Sequence, residues 1–182
     1  MKKLLLHSCC GPCSSACIER LLAETDYYVT IFYYNPNIYP EEEYLHRKNE
    51  QVRLINELTI PRVNFIDFDY ETQEFERCAI GLENEKEGGA RCPKCFALRL
   101  YKTAQVAKLN GYDAFATTLT VSPHKNAQII TGVGNQIAQE VGISYLPYDF
   151  KKKEGFKRSI QLSKQYNLYR QNYCGCKYSK QQ

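Results

Sequence analysis

Apolar and polar residues alternate along the chain in a pattern that predicts strands and helices in turn. Short apolar runs rich in β-branched and aromatic residues predict strands at 2–8, 27–36, 62–67, 114–118 and 143–147. Amphipathic segments predict helices at 12–24, 41–58, 72–80, 92–110, 122–141 and 156–167. This repeated alternation implies an α/β fold, in which a parallel sheet is flanked by helices.

The segment after the first predicted strand carries the motif HSCCGPCSSAC, residues 7–17. Ligands of open parallel sheets bind beyond the carboxyl ends of the strands, where the strand order reverses. Cys9 and Cys10 fall on the turn into the first helix, whose N–H donors stabilise a thiolate or an anionic cluster. Cys13, in the first helical turn, can face the same site. Adjacent cysteines rarely satisfy one tetrahedral ion, so this pair is suited to two different metals.

Two further cysteine groups lie far along the chain. Cys92 and Cys95 form a C-x-x-C motif, which alone fits zinc, an iron–sulfur cluster or thioredoxin-like chemistry. Cys174 and Cys176 flank Gly175, which permits the tight backbone path that turns both thiols inward. Seven grouped thiols exceed what one tetrahedral ion uses. A 4Fe-4S cluster held by four thiolates, together with a second site, uses them better.

The composition favours an intracellular redox or metal-binding protein over a disulfide-stabilised one. Nine cysteines, about 5% of 182 residues, are an odd number in a chain this large, which argues against a disulfide scaffold. No apolar run reaches the roughly 20 residues that span a bilayer. Polar His7 and Ser8 interrupt the N-terminal leucines, so we expect no signal peptide. We therefore expect a single cytoplasmic domain, residues 1–182, in which a C-terminal extension, 150–182, contributes metal ligands.

The residues alone leave two alternatives to an iron–sulfur oxidoreductase. One is a zinc-stabilised nucleic-acid-binding module without catalysis, and the other is a thiol–disulfide oxidoreductase that uses Cys92 and Cys95. Neither alternative needs all the grouped thiols. The remaining cysteines, Cys17 and Cys78, are each isolated in a helical pattern and are expected to be small core residues.

Basic residues interleave with aromatic ones near the C-terminus. Five cations lie within FKKKEGFKRS, and tyrosines follow downstream. Such a run is usually a solvated face, but interleaved rings suit phosphate contacts with base stacking. A net charge of +4 permits nucleic acid as a partner without requiring it. The stretch TLTVSPHKN is either a plain helix cap at Ser122 or an anion site aided by its lysine. The candidate RNA contacts are Lys125, Lys151, Lys152, Lys153, Lys157, Arg158 and Arg170.

Nearly the whole chain resembles the QueH-type epoxyqueuosine reductases, the cobalamin-independent enzymes of queuosine synthesis. The matching motifs are HSCCGPCSS, YYNPNIYPEEEY, GLENEKEGGARCPKCFALRL, TTLTVSPHKN, KKKEGFKRS and LYRQNYCGC. The resemblance implies an adenine-nucleotide-hydrolase-like (PP-loop-like) fold. A related third alternative, an ATP-dependent tRNA-modifying enzyme, lacks the Gly-rich loop that it would need after the first strand.

The resemblance also implies an activity, two cofactors and their ligands. The activity is reductive removal of the epoxide oxygen of epoxyqueuosine in a tRNA anticodon loop, the last step of queuosine synthesis. The cofactors are a 4Fe-4S cluster and an additional mononuclear iron. The metal ligands carried over are Cys9, Cys10, Cys13, Cys92, Cys95, Cys174 and Cys176. The working assignment gives Cys10, Cys92, Cys95 and Cys174 to the cluster, and Cys9, Cys13 and Cys176 to the reacting site.

The reaction also needs groups that no motif identifies. Two electrons must come from an electron donor that the sequence leaves unidentified. A proton donor is needed as well, and a tyrosine, His7 or Asp69 are the candidates.

Overall fold

A computed structural model describes residues 1–180, and its backbone follows the expected alternation of strands and helices. The strands are β1 (Lys3–His7), β2 (Tyr28–Tyr33), β3 (Val63–Asp67), β4 (Ala114–Thr117) and β5 (Ser144–Tyr145). The helices are α1 (Gly11–Glu24), α2 (Glu41–Leu58), α3 (Thr72–Ala79), α4 (Arg91–Leu109), α5 (Ala127–Val141), α6 (Gly155–Gln165) and α7 (Lys177–Lys180). Within these residues no helix combines the length and the apolar character needed to cross a membrane.

All five strands run parallel in the order β3-β2-β1-β4-β5. The chain therefore builds outward from β1 in one direction and then returns to β4 on the other side. The strand order reverses between β1 and β4, where His7 lies opposite Thr117 in the register. The turn into α1 starts at this point, so the first cysteine motif occupies the place where open parallel sheets bind ligands.

Helices cover both faces of the sheet, as the continuous apolar run of β1 requires. Leu5 packs on one face with Phe115 and Leu100, while Leu6 packs on the other with Ile18 of α1. All five side chains are at most 1% exposed. Burying an aliphatic side chain of this size contributes about 1.5–3 kcal/mol. The carboxyl edge of the sheet is thus mounted on a well-packed core.

The helix expected from residue 122 starts later than its sequence suggests. A 3-10 helix, Thr118–Val121, continues directly from β4, and α5 begins only at Ala127. Asn126 is the cap, because its Oδ1 accepts hydrogen bonds from the N–H groups of Gln128 and Ile129 at 2.9 and 3.2 Å. The expected helix start at 122 is therefore wrong. The loop before α5 stays free to border the carboxyl edge of the sheet.

The last strand is also shorter than expected. Residues 144–145 pair with β4, and Leu146 then donates its N–H to the carbonyl of Phe115. Pro147 follows and has no N–H with which to continue the ladder. After α6 the chain returns to the carboxyl edge, where Cys176 forms an isolated antiparallel bridge with Ile38. The C-terminal segment thereby reaches the cysteines of the β1–α1 turn.

Candidate metal centre

The first thiol group comprises Cys9, Cys10 and Cys13 at the turn from β1 to α1. Their three sulfur atoms all lie within 4.8 Å of one another. Cys10 is the N-cap of α1, and its sulfur accepts the N–H of Cys13 at 3.4 Å. Cys9 and Cys10 are only 6% and 1% exposed. The local sequence thus holds three sulfurs together at the positive end of a helix, where an anion is stabilised.

Negative charge in the first thiol group concentrates on Cys9. Hydrogen bonds from the thiols of Cys10 and Cys13 hold the pKa of Cys9 well below its usual value, and the positive charges of Lys125 and Arg99 lower it further. Burial instead raises the pKa of Cys10 to about 12. One thiolate supported by two thiols is a site prepared for a cationic ligand.

The second thiol group comprises Cys92, Cys95, Cys174 and Cys176, which line one cavity of about 100 Å³. The first turn of α4 supplies two of the thiols, and the C-terminal segment supplies the others. A hydrogen bond from Cys176 lowers the pKa of the Cys174 thiol to about 6, and Ser179 assists. Burial raises the pKa of Cys95 to about 11. This group also concentrates its charge on one sulfur.

Gly175 sets the backbone path between the two C-terminal thiols. Its φ of +105° lies in a region that L side chains rarely adopt, as expected from its place between two cysteines. Its carbonyl accepts the N–H of Tyr39 at 2.8 Å. Arg47 donates to the carbonyls of Tyr173 and Cys174 at 3.2 and 3.3 Å. These bonds fix the C-terminal segment against α2 and the loop before it.

Gln171 joins the C-terminal segment to the first thiol group. Its side-chain N–H donates to the sulfur of Cys10 at 3.0 Å, so one segment contacts both thiol groups. Amide donors to sulfur orient a ligating thiolate and tune the metal that it holds. Sequence reasoning missed this residue. The available signal was its position within YRQNYCGC, three residues before Cys174.

Arg99 is a second site residue that sequence reasoning missed. Its side chain lines the cavity of the second thiol group and is only 3% exposed overall. It follows Cys95 by four residues on α4, so both project from the same helix face. That spacing within RCPKCFALR was the available signal.

Two of the three proton-donor candidates, His7 and Asp69, are poorly placed for that role. His7 is fully buried, and its ring nitrogens contact the Thr117 hydroxyl at 3.0 Å and the Tyr34 carbonyl at 3.1 Å. Burial lowers the pKa of His7 to about 3, with a further contribution from Arg99. The ring is therefore neutral at neutral pH and has both nitrogens engaged. Asp69 is exposed on the loop after β3.

Two of the candidate RNA-contacting cations border the cavity or support its rim. Lys125 lines the cavity, on the loop before α5. Lys151 donates to the carbonyls of Ser122 and Lys125 at 3.4 and 2.5 Å, which braces that loop. Lys125 is therefore the best placed of the candidate cations to meet a ligand at the thiols.

The remaining candidate cations lie on or beside α6, and most are engaged within the chain. Three form ion pairs: Lys153 with Glu24, Lys157 with Glu154, and Arg158 with Glu19. Arg170 donates to Ser159 and Ser163, whereas Lys152 is exposed. Exposed pairs of this kind are weak, so a polyanion can displace them.

The two isolated cysteines differ in their surroundings. Cys17 is fully buried in the core beneath α1, which confirms its expected role as a small core residue. Cys78 is half-buried and packs against a small apolar cluster that contains Phe75, Cys95 and Cys176. It therefore lies beside the second thiol group and is not the buried core residue that the sequence predicts.

The donor set fits a thiolate-bound metal centre. All nine cysteines are free thiols, and seven of them fall into two groups, one at the turn from β1 to α1 and one around the cavity. Soft thiolate donors select iron–sulfur clusters, zinc or copper(I). Four thiolates suffice for one 4Fe-4S cluster, and three remain for another metal.

Comparison with known proteins gives matches over nearly the whole of this chain. The family model described as epoxyqueuosine reductase QueH matches residues 4–182. The protein named epoxyqueuosine reductase QueH from Staphylococcus epidermidis is 44% identical over 96% of this chain and 74% of its own length. Its namesake from Acinetobacter baylyi is 44% identical over 97% and 80% of the two chains. That from Thermotoga maritima is 34% identical over 98% and 91%.

A solved structure supports the fold assignment. A predicted subunit of tRNA methyltransferase from Methanocaldococcus jannaschii superposes with a TM-score of 0.57 at 15% sequence identity. The likeness covers 87% of this chain and 73% of the other. At this identity it concerns the fold alone, and it confirms the expected α/β class with a parallel sheet flanked by helices.

Proposed function

The chain belongs to the QueH family and is an epoxyqueuosine reductase, and from this premise we propose that it acts on tRNA through a cysteine-bound iron–sulfur cluster. The observation that carries the proposal is the grouping of seven thiols from three distant segments, with Cys92 packed against the core cluster that contains Cys9 and Cys10, and Gln171 in contact with Cys10. The family membership makes the chain a catalyst, so the non-catalytic zinc module has no support.

The proposed reaction removes one oxygen atom from the substrate. The epoxide of epoxyqueuosine loses its oxygen as water and becomes the alkene of queuosine, which consumes two electrons and two protons. The electrons come from an external donor. Lys125 lines the cavity, so its ammonium group would favour the negative charge that develops on the epoxide oxygen. The enclosing walls of the cavity would keep bulk water from the reacting carbons.

The seven grouped cysteines would hold the metals. We assign Cys10, Cys92, Cys95 and Cys174 to a 4Fe-4S cluster. The assignment is supported by Gln171, which contacts Cys10 from the segment of Cys174, and by the cavity that Cys92, Cys95 and Cys174 line. The other three thiols, Cys9, Cys13 and Cys176, would hold an additional iron. When bound, these groups would supply single electrons and a Lewis acid.

The tRNA would bind across the cavity mouth and α6. The modified base lies in an anticodon loop, where single-stranded bases can be turned outward into a pocket. Lys125 stands at the cavity, and Lys152 is exposed on the approach to α6. Phosphate contacts by such lysines give an affinity that falls with salt.

The test is metal analysis combined with electron paramagnetic resonance on anaerobically purified protein, before and after dithionite. We expect brown protein containing iron and sulfide, and a reduced-cluster signal. Cys92→Ser and Cys95→Ser should each lose cluster absorbance and reductase activity together. Cys17→Ala is the matched control, since Cys17 is a core residue one turn beyond Cys13, and it should keep both. Colourless zinc-containing protein, or a brown and active Cys92→Ser variant, would contradict the proposal.

A further inference from the structure

Arg99 is a largely buried cation for which residues 1–180 show no anionic partner. Its side chain is 3% exposed. The structure records one hydrogen bond from it, Nε to the carbonyl of Cys95 at 3.3 Å, and a weak contact of its guanidinium with the Phe96 ring at 5.8 Å. Within residues 1–180 no hydrogen bond or ion pair is recorded for its terminal nitrogens. Burying an uncompensated charge is costly, so a compensating anion is expected nearby.

The other two buried arginines make more hydrogen bonds within the described residues. Arg47 pairs with Glu43 at 2.7 Å and also donates to two backbone carbonyls. Arg91, which lines the same cavity, donates from Nη1 to three backbone carbonyls at 2.6–3.1 Å, although its Nη2 is buried without a partner. What distinguishes Arg99 is that neither terminal nitrogen donates a hydrogen bond within residues 1–180, while its side chain lines a cavity that four cysteines share.

Arg99 lies beside the second thiol group. Its side chain lines the cavity together with the four thiols of that group, and its Nε donates to the carbonyl of Cys95 at 3.3 Å. A cation beside thiolates compensates negative charge that each additional electron increases.

We propose that Arg99 is a positioning residue whose unpaired guanidinium raises the reduction potential of the cluster held by the surrounding cysteines. The inference rests on the proposed function, because it requires the cluster. A fixed positive charge stabilises the reduced cluster, which carries one more negative charge than the oxidised one. Lowering the energy of the reduced state lets a weaker external reductant load the electron.

The test is an anaerobic redox titration of the cluster, followed by electron paramagnetic resonance. In Arg99→Met we expect the ratio of reduced to oxidised cluster at a fixed solution potential to fall at least tenfold, which is a shift of −59 mV for one electron. Arg99→Lys keeps the charge and should stay near the wild type. Lys102→Met is the matched control: it removes a cation from the same helix, but one already paired with Glu71 at 3.1 Å. It should shift the potential much less.

The other possible results of this titration also test the proposal on Arg99. An unchanged potential in Arg99→Met, or an equal shift in Lys102→Met, would overturn the proposal. If Arg99→Met folds but takes up no cluster while Arg99→Lys does, the charge serves cluster assembly instead of the reduction potential, and the proposal is wrong. If Arg99→Lys also fails to load or to unfold cooperatively, Arg99 is a structural residue and the inference is wrong. A wild type without any cluster would instead overturn the proposed function and this inference with it.

Discussion

Replacement of Gly175 by alanine tests how the C-terminal thiols are held. A Cβ at this position would lie 2.8 Å from Ile38 Cγ1 and 3.2 Å from Arg47 Nη1, while the backbone stays at a φ of +105°. Holding an L residue at positive φ costs about 1–2 kcal/mol. Overpacking of a closely packed site typically adds about 1–3 kcal/mol. The total is about 2–5 kcal/mol.

This free-energy cost is comparable to the free energy that attaches the C-terminal segment to the rest of the protein. Gly175 contributes one backbone bond to Tyr39, and Arg47 contributes two bonds to carbonyls of the same segment. Hydrogen bonds from charged groups contribute about 1.5–3 kcal/mol each. Since the strain is of the same size as this attachment, the segment should detach locally before the sheet unfolds. The loss of global stability is then limited to the free energy of attachment.

The assay is thiol labelling of reduced, metal-free protein, followed by mass spectrometry. Cys174 and Cys176 should label at least tenfold faster in Gly175→Ala than in the wild type, and the iron content after reconstitution should fall. Gly111→Ala is the control, because Gly111 has a φ of +67° with no atom within 4 Å of the added Cβ. It should cost about 1 kcal/mol and leave the labelling of both cysteines unchanged. Equal labelling of both variants, with full iron content, would refute the reasoning.

Three further changes give distinct outcomes. Gln171→Met removes the N–H donor to the first thiol group and should weaken iron retention by about 10–100-fold in a chelator challenge; wild-type retention would contradict this role. Lys125→Ala should weaken tRNA binding and reduce the salt dependence of that binding. Lys153→Ala should have a smaller effect, because Lys153 is paired with Glu24; equal effects of the two changes would argue against tRNA binding at the cavity. Gly134→Ala should lower the free energy of unfolding by about 1–3 kcal/mol, because a Cβ there would lie 2.4 Å from the Tyr145 ring. The iron content should not change. A wild-type melting temperature would show that the ring moves aside.

The elements that were predictable from the sequence are those specified by local pattern. Helix α2 matches its expected range, 41–58, because three glutamates open it and its apolar positions repeat at helical spacing. The placement of Cys9 and Cys10 followed from a topological rule, since the turn after a central parallel strand must lie at the carboxyl edge. Local pattern and chain topology therefore brought the first thiol group to its site.

The features that were not predictable depend on partners distant in the sequence. Asn126 rather than Ser122 caps α5, and either residue type suits a cap, so tertiary packing decided between them. The ion-pair partners of the cations near α6 were equally hard to predict from the sequence. Glu19 and Glu24 of α1 pair with Arg158 and Lys153, more than 120 positions later. A count of cations along the sequence cannot register such partners, so it overstates the positive charge available to RNA.

Hydrogen-bond and ion-pair partners also distinguish structural from functional charges at the site. Arg47, Arg91 and Arg99 are all buried. A carboxylate and two carbonyls bind Arg47, three carbonyls bind Nη1 of Arg91 and leave its Nη2 without a partner, and Arg99 makes one hydrogen bond, to the carbonyl of Cys95. Arg91 and Arg99 both line the cavity of the second thiol group. Since a buried charge without a partner is unstable, guanidinium nitrogens that have no partner within residues 1–180, beside four cysteines, support the proposed anionic cluster independently of the cysteine count.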